Sequence, residues 1–217
     1  VNNLLSIQSE IKLKINELNF KNYQPNIVAV SKTFSMQDIL PLINHGHIHF
    51  GENKVQEAIE KWTNLKNDFK HLKLHMVGKL QTNKVKYVVP LFDYIHSVDN
   101  IKLAEKISKE QIKNNKKMKL FIQINIGNED QKTGISEDRL ENFFNICTKE
   151  LDLNVIGIMC LPPNDNQSSK YFSKMIQLIK KIKLKETSMG MSNDYLEAVS
   201  YQSTYLRIGS KIFGERN

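Results

Sequence analysis

Apolar positions along this chain follow two rhythms. Near the start, Ile7, Ile11, Ile15 and Leu18 recur at roughly helical spacing, which predicts an amphipathic helix over residues 6–19. From Ile27 onward the pattern becomes short, nearly unbroken apolar runs separated by longer amphipathic stretches. The runs predict strands over 27–31, 47–50, 73–77, 93–97, 119–126, 153–160, 184–188 and 204–208. The stretches between them predict helices near 36–45, 53–62, 81–88, 100–114, 136–149, 167–181 and 192–200.

A run such as the one from Leu120 to Ile126 suits a strand covered on both faces, because an open antiparallel sheet more often alternates polar and apolar positions. Repeated strand–helix units of this size can close into an eight-stranded barrel that gathers functional groups at the carboxyl ends of its strands. The competing arrangement is an open doubly wound sheet, whose usual glycine-rich nucleotide turn is missing: residues 28–34 contain no glycine. The expected fold is therefore α/β, a single (β/α)8 TIM-type barrel with an additional N-terminal helix. With no long linker, repeat or low-complexity tail, residues 1–217 read as one domain. Asp99 or Asn100 is placed to cap the helix after it, Ser136 precedes another helix start, and the turn from Pro162 to Asn166 stops the strand ending near Leu161.

Composition narrows the class. An apolar fraction of 40% over 217 residues fits a globular chain with a substantial core. No stretch approaches 18 uninterrupted apolar residues, and residues 1–6 lack the features of a secretory signal, so the expectation is a cytoplasmic protein without a membrane span. Cys147 and Cys160 supply neither a disulfide framework nor a metal cluster and read as small buried hydrophobes. The net charge of +8 raises the question of nucleic acid, but only Arg139, Arg207 and Arg216 carry the rigid fork that base recognition favours. The lysines are spread over the whole chain. No specific nucleic-acid partner is expected.

Candidate chemistry lies at the predicted strand ends. Lys32 follows the apolar run Ile27 to Val30, where a lysine amine can join an aldehyde cofactor as an imine. Ser188, Gly190 and Ser192, together with Arg207, Gly209 and Ser210, combine hydroxyls, small backbone positions and a guanidinium that can cradle a phosphate dianion. Asn53 can hydrogen-bond a cofactor oxygen, and the residues around Met76 can pack against its ring. His45, His47 and His49 alternate with a spacing that suggests metal ligands, yet no neighbouring carboxylate completes a set, and His75 reads as scaffolding. Lys132 can contact an anion, or face solvent as an ordinary surface charge.

At these residues the chain resembles the pyridoxal phosphate homeostasis protein family, whose fold is like the N-terminal barrel domain of alanine racemase. The resemblance runs through Ala29 to Thr33, Phe50 to Asn53, Val55 to Glu57, His75 to Lys84, His96 to Asp99, Ile124 to Gly127, Gly157 to Met159, Ser188 to Asp194 and Arg207 to Arg216. It implies that pyridoxal 5′-phosphate is held as an imine on Lys32, with the segments Ser188 to Ser192 and Arg207 to Gly209 around the phosphate. It implies a noncatalytic role in cofactor homeostasis, buffering the cofactor or delivering it to pyridoxal-phosphate-dependent enzymes. A monomer is expected. The alternative is an amino-acid racemase, which needs an acid and a base on opposite faces of the substrate carbon; the chain ending at Asn217 leaves no room for the extra domain that racemases use to supply a tyrosine. Two positions depart from the family pattern: Gln202, where glycine is common, and Lys54, in place of an aromatic residue or arginine.

Overall fold

Eight parallel strands close on one another in sequence order, β8 pairing back onto β1. The computed structural model describes residues 1–129 and 133–215. The strands are β1 (Asn26–Val30), β2 (His49–Glu52), β3 (Lys73–Met76), β4 (Tyr94–Val98), β5 (Lys119–Ile124), β6 (Val155–Cys160), β7 (Glu186–Ser188) and β8 (Tyr205–Ile208). Around them run α1 (Asn2–Glu17), α2 (Met36–Asn44), α3 (Val55–Trp62), α4 (Leu65–Asp68), α5 (Val85–Leu91), α6 (Ile101–Asn114), α7 (Leu140–Asn145), α8 (Ser168–Lys181), α9 (Tyr195–Ser200) and α10 (Ser210–Phe213). The expected (β/α)8 barrel with its extra first helix is what forms. No helix among the described residues is long and apolar enough to cross a membrane.

Successive strand residues point to opposite faces, and here both faces are buried. Ile27 and Ala29 of β1, Leu120, Ile122 and Ile124 of β5, and Leu206 and Ile208 of β8 pack outward against the helices. Val28, Tyr94, Phe121, Met159 and Tyr205 form a second cluster inside the barrel. The continuous apolar runs thus reflect two cores sharing one strand. The same parity turns Arg207, between Leu206 and Ile208, toward the interior.

Several boundaries shift for local reasons. The second strand starts at His49 rather than residue 47, because Gly46, at φ 92°, closes α2 and the His47 amide is still donated back to Leu42. It then continues through Gly51, whose missing side chain makes room for Val28: a Cβ there would meet Val28 Cγ1 at 2.9 Å. The helix expected over 136–149 is a 3-10 turn, then α7, then a π-helical turn over Ile146–Glu150. Asn100 caps α6, its side-chain oxygen accepting from the Leu103 amide at 2.9 Å. Both cysteines are buried and unpaired, and burial pushes each thiol up to about 12.

Gln202 sits in the left-handed region at φ 55°, just past the end of α9. Its amide is donated to Val199 and that of Ser203 to Ala198, the paired bonds of a Schellman ending that favours glycine at this position. Gln202→Gly is expected to stabilise the chain by about 0.5–1 kcal/mol, since relief of the side-chain clash outweighs the added backbone entropy. Urea denaturation checks this, and a loss of stability would contradict it.

Candidate functional site

A cavity of about 520 Å³ opens at the carboxyl ends of the strands. Lys32, two residues beyond β1, lines it together with Asn53 after β2, Ser192 and Asp194 after β7, and Arg207 and Gly209 at the end of β8. The loop Leu161 to Asn164 forms another wall. Barrel closure brings the two cationic contributors to neighbouring strands: Val28 is in register with Arg207, and Lys32 lies four residues further along the chain, past the end of β1.

Arg207 is nearly fully buried and firmly held. Its guanidinium donates to Ser188 Oγ at 2.5 Å and to the Cys160 carbonyl at 2.8 Å. A guanidinium has five N–H donors, so these two bonds fix its plane and leave others for an anion. Burial lowers its pKa from the usual arginine value, with the nearby Cys160 and Asp194 acting in the opposite sense. Burial likewise raises the Asp194 carboxyl, against the Met191 amide, which it accepts at 2.6 Å, and the Arg207 charge. That bond shapes the turn over residues 191–194 and delays α9 to Tyr195.

Beneath Lys32 lies a buried polar brace. Glu52, with no exposed surface, accepts from Ser31 Oγ at 2.7 Å and Trp62 Nε1 at 3.0 Å and pairs with Lys61 at 2.7 Å. Lys61 also donates to the carbonyls of Ser31 and Phe34, on either side of Lys32. Glu57 accepts from Lys61 and from the Thr33 amide. Burial raises the Glu52 pKa, and its bonds from Lys61, Trp62 and Ser31 only partly offset that. Thr33 is held at φ 69°, unusual for a β-branched residue, so these contacts oppose local backbone strain.

The positions singled out in the sequence divide into two groups. Lys32, Asn53, Ser192, Arg207 and Gly209 line the cavity. Met76, Ser188 and Gly190 do not. Met76 belongs to the outer core, and its successors Val77 and Gly78 reach the cavity instead. Ser188 faces the interior and carries Arg207 rather than offering its hydroxyl to the cavity. Gly190, at φ 93°, accepts the Arg207 amide through its carbonyl, and a Cβ there would strike Ala198 at 2.5 Å. Lys54 is exposed and precedes α3 without lining the cavity. Lys132 and Arg216 lie outside the described residues. His49 takes part in a hydrogen-bonded chain described below, the His47 Nε2 lies 2.9 Å from the His49 carbonyl, and no metal-holding group of three or more His, Cys, Asp or Glu exists among the described residues.

Sequence reasoning missed the brace and Asp194. Glu52, Glu57 and Asp194 fell inside strings that mark the family, but nothing in their spacing showed that the two glutamates support the Lys32 loop or that Asp194 shapes the turn beside Arg207. The cavity itself passes one test of fit for a polar ligand: Asn53 Oδ1 is buried beside it without a hydrogen-bond partner. Buried polar atoms are rarely left so. Lysine, asparagine, serine and arginine donors around an orphaned acceptor suit a small molecule carrying a carbonyl, a ring hydroxyl and a phosphate.

A closed parallel barrel whose cavity is lined by a lysine beyond its first strand and an arginine on its last fits the class of alanine-racemase-like barrels. Residues 9–217 match the family model described as alanine racemase, N-terminal domain. The chain is 33% identical to a pyridoxal phosphate homeostasis protein of Haemophilus influenzae over 99% of its own length and 95% of that protein's, and 36% identical to one of Aquifex aeolicus over 88% and 86%. It is also similar to PipY of Synechococcus elongatus, solved with pyridoxal phosphate bound, at 29% identity and a TM-score of 0.82, covering 94% of this chain and all of that one. The alanine racemase of Clostridium difficile shares the fold, at 14% identity and a TM-score of 0.70, over 96% of this chain and 57% of that one. The chain belongs to the pyridoxal phosphate homeostasis protein family.

Removing the brace has a measurable consequence. Lys61→Met leaves the Glu52 carboxylate buried without its countercharge and is expected to cost about 3 kcal/mol of stability. Adding Glu52→Gln to the same chain should recover part of that loss. Chemical denaturation reads both, and an undiminished stability in Lys61→Met would refute the brace.

Proposed function

We propose that the cavity holds pyridoxal 5′-phosphate between Lys32 at one end and Arg207 at the other, with Ser192 and Gly209 beside the phosphate and Asn53 on the ring side. Met76, Ser188 and Gly190 support these contacts from behind. The observation that carries this reading is the lining of one cavity by Lys32 and Arg207, set on adjacent strands by the closure of β8 on β1. A volume of about 520 Å³ is in the range of small-molecule sites. The cofactor brings an aldehyde that can condense reversibly with an amine, and a dianionic phosphate. Lys32 supplies that amine at the end of a rigid strand. Arg207 supplies directional charge-assisted donors.

The role is noncatalytic cofactor binding and homeostasis, as membership of the family carries it. The ionisable side chains among the described residues that line the cavity are Lys32, Asp194 and Arg207. Racemisation needs an acid and a base facing each other across the substrate, whereas these groups suit retention of an anionic aldehyde. The barrel of residues 1–217 acts as one unit, a monomer in the cytoplasm, and passes its cargo to pyridoxal-phosphate-dependent enzymes when a competing amine displaces Lys32. Mixing the loaded chain with such an apoenzyme reads this step as recovered activity, and recovery no faster than from free cofactor would contradict delivery.

Borohydride reduction of the loaded protein tests the site. One adduct is expected, mapped to Lys32 by peptide mass and absent from Lys32→Ala; labelling only at other lysines would overturn the assignment. Arg207→Ala should weaken cofactor binding by roughly tenfold to a hundredfold, the loss of a charge-assisted hydrogen-bond pair. Equilibrium dialysis measures it. Unchanged affinity would place the phosphate elsewhere.

A further inference from the structure

Three histidines and a serine thread the barrel interior in single file toward Arg207. His49 Nδ1 meets His75 Nε2 at 2.9 Å, His75 Nδ1 meets His96 Nε2 at 2.9 Å, and His96 Nδ1 meets Ser188 Oγ at 2.8 Å. Ser188 Oγ in turn accepts from Arg207. The register explains the line. Gly51 pairs with His75 and stands two residues beyond His49; Tyr94 pairs with His75 and stands two before His96; Tyr205 pairs with Ser188 and stands two before Arg207. These three links each climb one pleat toward the cavity, and the link from His96 to Ser188 crosses the interior from β4 to β7. His75 stacks on Tyr94 with centroids 4.1 Å apart, and His96 on Phe121 at 4.4 Å, so neither ring can turn without unpacking the interior.

A neutral imidazole has one N–H and one bare nitrogen. Burial keeps all three rings neutral at pH 7: it lowers His49 to about 4 and takes His75 and His96 well below the ordinary histidine value. His75 and His96 each use both nitrogens, so each must donate on one side and accept on the other. The direction of any one bond then sets all of them, and only two orderings exist. In the first, Ser188 donates its hydroxyl proton to His96 Nδ1, and every ring carries its proton on Nε2. In the second, every ring carries it on Nδ1, and Ser188 accepts from both His96 and Arg207. That leaves the Ser188 proton without an acceptor at a fully buried position, a penalty of about 1–3 kcal/mol. Arg207 can only donate, so it selects the first ordering. The chain ends at His49, which is half-buried, and its last N–H is not among the sealed, unpartnered atoms.

We propose that Ser188 and His96 are positioning residues for Arg207, and that His75 and His49 behind them lock His96 in the tautomer that accepts the Ser188 proton. The device fixes the guanidinium plane before any anion arrives. Arg207 donates to Ser188 Oγ and the Cys160 carbonyl rather than to a carboxylate: Asp194, which also lines the cavity, accepts from the Met191 amide instead. This inference rests on the cofactor reading for the purpose of the device, but its geometry stands apart from it.

Long-range nitrogen–proton NMR on histidine-15N-labelled, cofactor-free protein at neutral pH tests it. His49, His75 and His96 should all show the Nε2–H pattern. An Nδ1–H signal from His75 or His96 would overturn the proposal even if pyridoxal phosphate binds normally, whereas failure of the wild type to bind the cofactor would strike the site reading alone. Ser188→Ala removes the selector and should mix the tautomers as far away as His49, while weakening cofactor binding on the order of tenfold. Ser188→Thr, which keeps the hydroxyl, should restore both. An unaltered His49 signal in a folded Ser188→Ala chain would contradict the lock, and the wild-type spectrum decides the matter if the variants do not fold.

Discussion

Pairing of β8 with β1 is the constraint on which the rest depends. Without it Lys32 and Arg207 are residues near opposite ends of the chain; with it they stand on adjacent strands facing one cavity. Closure also seals the interior against water. That makes the polar groups inside expensive unless they have partners, and it accounts for the hydrogen bonding around Arg207, Ser188 and His96.

The two ends of the cavity are supported differently. The Lys32 end rests on a buried ion pair, Glu52 with Lys61, whose ammonium gathers the carbonyls of Ser31 and Phe34 and steadies the unusual Thr33 backbone. The Arg207 end rests on neutral groups, a serine hydroxyl and a backbone carbonyl. The difference matches what each end is proposed to bind. A carboxylate hydrogen-bonded to the arginine would oppose an incoming dianion; Asp194, which also lines the cavity, accepts from the Met191 amide instead, and beneath the lysine loop Glu52 neutralises the Lys61 ammonium. Barrel interiors are commonly filled by branched aliphatic side chains. Here Tyr94, Phe121 and Tyr205 occupy much of that space, and Tyr94 and Phe121 hold His75 and His96 in place by stacking.

Much of this was legible in the sequence, because strands buried on both faces leave long apolar runs and a lysine or arginine ending such a run is conspicuous. Lys32 and Arg207 drew attention in this way, and both line the cavity. Met76 and Ser188 were assigned to the ligand because they sit near strand ends, but strand parity decides which way a side chain points: Met76 is one step from inward-facing His75 and turns to the outer core. The histidine chain was not legible, since it joins residues from separate strands through barrel register. His45, His47 and His49 instead drew attention to a local alternation. Gln202 was visible as a departure from the family, and its left-handed backbone supplies the physical meaning.

The central claim is that one cofactor bridges Lys32 and Arg207. A crystal structure of the chain grown with pyridoxal phosphate tests it most directly. The account predicts electron density continuous from Lys32 Nζ into the pyridine ring, with the phosphate on the Arg207 guanidinium and near Ser192 and Gly209. Density for the ring on another lysine, or a phosphate outside the pocket at the ends of β7 and β8, would contradict it.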